Sequence, residues 1–336
     1  MDGARAESPT VDYRRAVAAA VRAPSLHNSQ PWRFQVRGDR LAVRLDPRRR
    51  LPASDPAGWG ARIAAGAALF NLRIAVAMQG WQPGYELLPD PADPDLVAEL
   101  WPEQRRRPTR AEERLWRAIW RRHSNRSPFW PDPVPADARA ALVTAAQAEG
   151  CWLEPLIGAG PANALAQIAQ TANQVLMRDP AYRAELAAWL RTGRPATDGV
   201  PAERGLPADA GAVADAGRLD LVLPDLLPLR PFGGRPGRGA GDEFNPQPMV
   251  AVLGTTGDTP GDQLVAGQGL QRVLLTATDA GLAVSMVSQP IEVASAREQV
   301  RLALRRSGSP QMVLRVGYGI AGSVTPRRPV AEVFEP

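Results

Sequence analysis

The sequence contains no lysine: all 40 of its basic residues are arginine. That absence excludes Schiff-base chemistry and every phosphate loop that depends on a lysine. The net charge of +5 therefore reflects permanently charged guanidinium groups and a GC-rich coding bias more than a nucleic-acid surface. The arginine runs Arg48–Arg50 and Arg105–Arg107 have no interleaved aromatics and read as solvated surface. Cysteine is almost missing too. Cys151 stands alone, so no intrachain disulfide and no cysteine-based metal cluster is expected. Two histidines, His27 and His123, are too few for a multi-histidine metal site. Gly150-Cys-Trp-Leu153 reads as the start of a buried strand, which argues against a nucleophilic thiol. Long apolar runs are absent as well: the longest are interrupted and fall short of the ~20 residues of a membrane span. Residues 1–30 carry Asp2, Glu7 and Asp12 and show no apolar stretch of a signal peptide. The expectation is a soluble, cytoplasmic protein with neither a nucleic-acid nor a membrane partner.

What the chain does have is 336 residues, 44% of them hydrophobic, enough for two domains or one large one. Its most unusual stretch is Ala23-Pro-Ser-Leu-His-Asn-Ser-Gln-Pro-Trp-Arg-Phe34. Pro24 and Pro31 fix φ and push the residues before them out of the helical region, so a stiff loop is expected between them. Ser25, His27, Asn28, Ser29 and Gln30 give that loop more side-chain donors and acceptors than a connection needs. The same groups serve equally well as caps on local backbone.

Around this loop the pattern predicts a helix over about 11–22 and a hairpin of Arg33–Val36 with Leu41–Leu45, turning at Gly38-Asp39. A helix apolar nearly all round follows over Gly60–Gly80, then a strand over Trp81–Leu88. Further helices are expected at 110–122, 136–149, about 161–191, 267–281 and 294–307. Strands are expected at 152–157, 249–254, 282–287 and 311–317, and an alternating strand pattern in the tail at 326–334. Residues 192–241 are dense in Gly, Pro, Asp and Arg and far longer than an ordinary loop, so they read as a flap or as a structureless insertion.

Two segments align. Gly66, Leu69 and Gly80 match Gly267, Leu270 and Gly281, with apolar positions coinciding between them and a strand pattern after each final glycine. Helix 11–22 with its polar loop has a counterpart in helix 110–122, which runs into Arg122-His-Ser-Asn-Arg126. Two alanine-rich helices can match by chance, but the ordered recurrence favours a duplicated fold.

Pro24-Ser-Leu-His-Asn-Ser-Gln-Pro-Trp32 and Arg122-His-Ser-Asn-Arg126 together resemble the two signature segments of the nitroreductase superfamily. With Gly66-Ala-Ala-Leu-Phe-Asn-Leu-Arg73 and Gln311-Met-Val-Leu-Arg-Val-Gly-Tyr318, the chain resembles the Acg-type branch, in which two halves are fused. The resemblance implies an α+β fold of two tandem halves, 1–104 and 105–336, forming an intrachain pseudo-dimer around central apolar helices, with a lid insertion at about 192–241. It implies FMN as cofactor. Arg122 and Ser124, with His123 between them, would meet its phosphate, and Arg327 and Arg328 would close that pocket. Arg126 would lie near the pyrimidine edge, and Pro290-Ile291-Glu292 would bring backbone to N5. Pro24, Ser25 and Asn28 would cover the ring, with Gln289 nearby. Val293 stands where the family often has glycine. The chemistry implied is hydride passage from NAD(P)H through the flavin to a nitroaromatic or quinone-like acceptor, with no protein nucleophile. A protein that stores or sequesters FMN under a closed lid is the alternative, and either a monomer or a homodimer fits.

Overall fold

The computed structural model describes residues 11–126, 129–130, 132–191, 196–201, 248–319 and 325–336. The first helix, α1 (Tyr13–Ala20), starts where the Asp12 carboxylate accepts the Arg15 N–H. It ends in the polar loop, which holds a single 3-10 turn at Leu26–Asn28. The hairpin β1 (Trp32–Arg37) and β2 (Arg40–Leu45) pairs Phe34 with Val43. Next come α2 (Trp59–Ala77), β3 (Trp81–Leu87) and β4 (Leu96–Arg105). The sequence pattern missed β4. Glu99, Pro102, Glu103 and Gln104 mask its alternation, yet Arg40 pairs with Glu99 at 3.1 Å and stacks on Trp101, holding it against β2.

The chain continues through α3 (Arg110–Arg121), α4 (Ala136–Gln147), β5 (Trp152–Leu156), α5 (Ala159–Arg178) and α6 (Pro180–Ala188). The one helical region expected at 161–191 is thus two. Pro180 has no N–H to continue α5, and the Asp179 carboxylate caps α6 by accepting the Ala181 N–H. Two short strands, β6 (Leu190–Arg191) and β7 (Val200–Pro201), pair in parallel. Of the expected flap at 192–241, only 196–201 lie within the described residues. The remainder is β8 (Met249–Thr255), α7 (Pro260–Asp279), β9 (Ala283–Val287), the turn α8 (Gln289–Glu292), α9 (Ala294–Leu304), β10 (Ser309–Gly317), α10 (Val330–Val333) and β11 (Phe334–Glu335).

The tail departs from its expected strand over 326–334. Gln30 accepts the Arg328 N–H and the Arg328 guanidinium bonds Glu332, one turn on, so 330–333 coil into α10 and only β11 remains extended. That last strand pairs in parallel with β1, Phe34 opposite Phe334. Besides the β6-β7 pair, the described strands form two larger sheets, β11-β1-β2-β4-β3 and β5-β8-β10-β9.

Between the sheets α2 packs on α7. Trp59–Ala77 is apolar and long enough to cross a membrane by composition, but 83% of its most apolar window is buried inside the protein. The two helices cross at glycines. A Cβ on Gly66 would sit 2.2 Å from the Leu264 carbonyl oxygen, and one on Gly267 would sit 2.2 Å from that of Ile63. Beside this crossing the Gln271 amide donates to Asn71 Oδ1 at 2.8 Å, and Asn71 donates to the Ala19 carbonyl at 2.9 Å. All three helices are thereby keyed to one register.

The start of α2 carries a titratable cap. The Asp55 carboxylate accepts the N–H groups of Gly60 and Ala61 at 3.0 and 2.9 Å, and burial pushes its pKa up to about 6 despite them. A carboxyl raised above its usual 3.8 binds its proton more tightly when folded, so its contribution is full below pH 4 and is lost as pH rises through 6. Asp55→Asn removes the titration. Chemical denaturation should show the variant gaining roughly 3 kcal/mol relative to the parent between pH 4 and pH 7; a constant difference would contradict the assignment.

Candidate functional site

The polar loop lies against a cavity of about 1100 Å³, its open mouth included, formed where α2, α7, β9 and β10 meet the loop. Its backbone is forced: His27, Asn28 and Gln30 all have φ near +50°, a region that suits glycine. Side chains hold it there. Ser25 Oγ accepts the Gln30 N–H at 2.9 Å. Gln30, fully buried, donates its amide to the Thr197 carbonyl at 2.8 Å and accepts the Arg328 N–H at 2.9 Å. Asn28 donates to the carbonyls of Gly199 and Pro326 and accepts from Arg327 Nη1, all within 3.1 Å. Thus the crowded amides of this loop act largely as ties, binding it to segment 196–201 and to the tail.

The second motif is stitched to β9. Ser124 bridges Val284, the Asn125 N–H donates to the Val284 carbonyl at 2.8 Å, and Ser285 Oγ donates to the Asn125 carbonyl. Ser124, Asn125 and Arg126 thereby face the cavity across from Pro24, Ser25 and Asn28.

Behind these residues four arginines converge. Arg122 is buried, donates Nη2 to the Arg22 carbonyl at 3.1 Å, and leaves Nε and Nη1 without a partner among the described residues. Burial, then the charges of Arg126 and Arg22, pull its pKa down to about 10. Arg327 donates to Asn28 and to the carbonyls of Thr325, Pro326 and Ala23 at 3.0–3.1 Å, again with Nε unpartnered among the described residues. Its pKa falls to about 9, through burial first and then Arg122, Arg22 and Arg126. Among the described residues no ion pair reaches Arg22, Arg122 or Arg327. Arg122 and Arg327, crowded by like charges and without an ion pair among the described residues, favour an anion beside them.

The expected site residues therefore divide. Pro24, Ser25, Asn28, Ser124, Arg126, Gln289 and Arg327 line the cavity. Arg122 stands just behind it, among the arginines. Pro290 and Ile291 are buried in the α8 turn, and Glu292 lines a neighbouring surface cleft. His123 is half-exposed, its Nδ1 3.0 Å from the Arg121 carbonyl. Arg328 turns away to Glu332 and lies 4.0 Å from Asp46. Sequence reasoning overlooked Arg22, Trp59, Ser285 and Met312. Arg22 had one usable signal, its place at the junction of α1 and the loop. As for Cys151, burial pushes its thiol up to about 12, which keeps it protonated.

The protein is thus an α+β fold with a partly apolar cavity that has arginines beside it. The nitroreductase family model matches residues 119–318. Rv3131 of Mycobacterium tuberculosis, which carries the provisional name NAD(P)H nitroreductase, is 33% identical over 333 residues, covering 96% of this chain and 90% of its own. The product of acg from the same organism, provisionally named likewise, is 31% identical over 326 residues, covering 96% and 94%. The FMN-dependent nitroreductase NfnB of Mycobacterium smegmatis, solved with NADPH, overlays with a TM-score of 0.39 at 22% identity, over 66% of this chain and 96% of that one. The chain belongs to the nitroreductase family.

Proposed function

We propose that this chain binds one FMN and works as an NAD(P)H-dependent oxidoreductase, handing a hydride to a nitroaromatic or quinone-like acceptor in the cytoplasm. One observation carries the reading: Arg122 and Arg327, crowded together beside the cavity, form no ion pair among the described residues and keep buried N–H groups that no described residue accepts. A phosphate monoester matches that donor set in charge and geometry. Arg122, Arg327 and Arg22 would hold the phosphate, with Ser124 adding a hydroxyl. Arg126 would stabilise negative charge on the ring system, and Pro24, Ser25 and Asn28 would cover it. Once bound, the flavin supplies the hydride chemistry; the protein supplies orientation, charge and exclusion of water. In this reading 1–104 and 105–336 are two tandem nitroreductase-like halves that share one site. The test is direct. The purified protein should be yellow, release one equivalent of FMN on heating, and oxidise NAD(P)H in the presence of menadione. A colourless protein that FMN does not reconstitute ends the proposal.

A storage role is favoured by one feature. Val200 lines the cavity, and its segment is tied across the loop. Asp198 bonds Arg49 at 2.5 Å and Arg191 at 2.9 Å, and Gly199 exchanges hydrogen bonds with Asn28. Although burial raises the Asp198 pKa, the hydrogen bonds from Arg49 and Arg191 hold it below the usual carboxylate range. The strap's ion pairs thus persist at neutral pH and fail only in acid, below the folded pKa. Asp198→Ala should speed flavin exchange, measured by competition with riboflavin 5′-phosphate analogues, by about 10-fold, as loss of its two partly exposed ion pairs implies. If the variant also gains NAD(P)H oxidase turnover from a negligible start, storage is the better description.

A further inference from the structure

Trp59 is the first residue of α2 and the one Trp, Tyr or Phe among the described cavity-lining residues. It also lines the surface cleft next door, with Ser54, Asp55, Asp258 and Arg297, so its indole is the partition between the cavity and that outer cleft. The arginine cluster is made by other elements: the end of α1, the segment after α3, and the tail. Two kinds of wall are therefore built into one site, a cationic one and an aromatic one.

The indole is held by a chain of polar groups that runs from buried Gln311 and Thr255 out to Asp258 at the surface. Trp59 Nε1–H donates to Gln311 Oε1 at 2.8 Å, and Gln311, on β10, is fully buried. The Gln311 amide donates to Thr255 Oγ1 and to Asp258 Oδ1, both at 3.0 Å. Those two acceptors fix which end of the amide carries the hydrogens and leave its oxygen for the indole. Asp258 is itself gripped by two N–H groups of Arg297 at 2.6 and 2.7 Å, and accepts from Gln263 at 3.1 Å. Burying a glutamine amide and an indole N–H is costly unless each finds a partner, and Gln311 meets both needs, its oxygen on the indole and its amide on buried Thr255 and on the exposed Asp258 carboxylate. The network gives this buried indole one orientation, its N–H on Gln311.

We propose that Trp59 is the specificity wall of this site, the face against which a flat, uncharged aromatic acceptor lies, and that Gln311, Asp258 and Arg297 are positioning residues that set its orientation. The assignment rests on the flavin-site reading above. The rest of the lining suits the same guest. Ile63, Leu270, Met286 and Met312 give an apolar surround, and the two thioethers adapt to rings of different outline. An anionic or non-planar acceptor gains little from such a wall.

The experiment uses FMN-loaded protein and menadione as the probe, titrated through the perturbation of the flavin absorbance, so that no turnover is needed. Trp59→Ala should weaken menadione binding at least 10-fold while the flavin stays bound, and Trp59→Phe should recover most of the loss. Gln311→Met should weaken binding several-fold in the parent and should do nothing further in the Trp59→Phe background, because its effect runs through the indole N–H. In flavin-free protein, Gln311→Met should also move the Trp59 indole N–H resonance upfield, a readout independent of any cofactor. An unchanged menadione affinity in Trp59→Ala, loss of flavin from it, or an equal Gln311→Met effect in both backgrounds would overturn the proposal. Failure of the parent protein to bind FMN would instead overturn the flavin reading, and the resonance shift would still report whether Gln311 holds the indole.

Discussion

Arg122→Met should empty the site of flavin and yet raise the melting temperature of the flavin-free protein. The two halves of that outcome have one cause. The Arg122 pKa is drawn down to about 10, so at neutral pH the group is charged in both folded and unfolded chains but is more costly to charge in the folded one. That cost is roughly 3 kcal/mol, is present at every pH below 10, and shrinks only as pH rises from 10 toward 12.5. Methionine keeps the stem and removes the charge, giving up one hydrogen bond to the Arg22 carbonyl worth about 1 kcal/mol. The flavin-free variant should therefore melt several degrees higher, at roughly 2–4 °C per kcal/mol for a protein of some size. Flavin affinity should fall on the order of 100-fold or more, the usual consequence of truncating one partner of a desolvated charge pair. Scanning calorimetry in phosphate against chloride sharpens the result: phosphate should stabilise the flavin-free parent and leave the variant unaffected. A variant that binds flavin as tightly as the parent would remove Arg122 from the cradle.

Gly267→Ala should be severely destabilising for a change of one methyl group. The added carbon would lie 2.2 Å from the Ile63 carbonyl oxygen and 2.9 Å from the Gly66 Cα, both backbone atoms with nowhere to go. The helices must separate by an ångström or more, which costs at least ~3 kcal/mol when every face around them is packed. A fall in melting temperature of about 10 °C is expected. Gly66→Ala meets the Leu264 carbonyl in the same way. Because the two glycines touch, the double variant should lose clearly less than the sum of the singles, by ~1 kcal/mol or more. Strict additivity would show that the crossing yields independently at each position. The singles should also loosen flavin, since Ile63 and Ala64 on one helix and Leu270 on the other line the cavity.

Much of this was legible in the order of residues, where local chemistry decides. The α2 pattern, apolar on every side, has only one comfortable place, between two layers, and it is found there. Pro24 and Pro31 around five polar side chains announced a constrained loop, and the loop is constrained. What sequence could not convey is direction and distance. Arg327 and Arg328 are neighbours, yet one reaches the cavity and the other folds back on Glu332, because Gln30 seizes the Arg328 N–H from 298 positions away. Arg22 looks like any exposed helix-end arginine until the tail arrives beside it. Trp59 acquires its meaning only from Gln311, which follows it by 252 positions. The expected tail strand failed for the same reason: a period of two was present, but a side-chain tie from elsewhere outweighed it.

The parallel pairing of β11 with β1 has an implication for biogenesis. Phe34 finds Phe334, and Arg327 settles on the carbonyls of Arg22 and Ala23, across separations of about 300 positions. Contacts that distant in sequence form late, after a large loop has been closed. A ribosome-bound fragment carrying the first three hundred residues would own both central helices but would lack β11 and also β10, the strand between β8 and β9, and so have no finished anion cradle. Cofactor capture must then wait for residues 309–335, and flavin added to such stalled fragments should find no home.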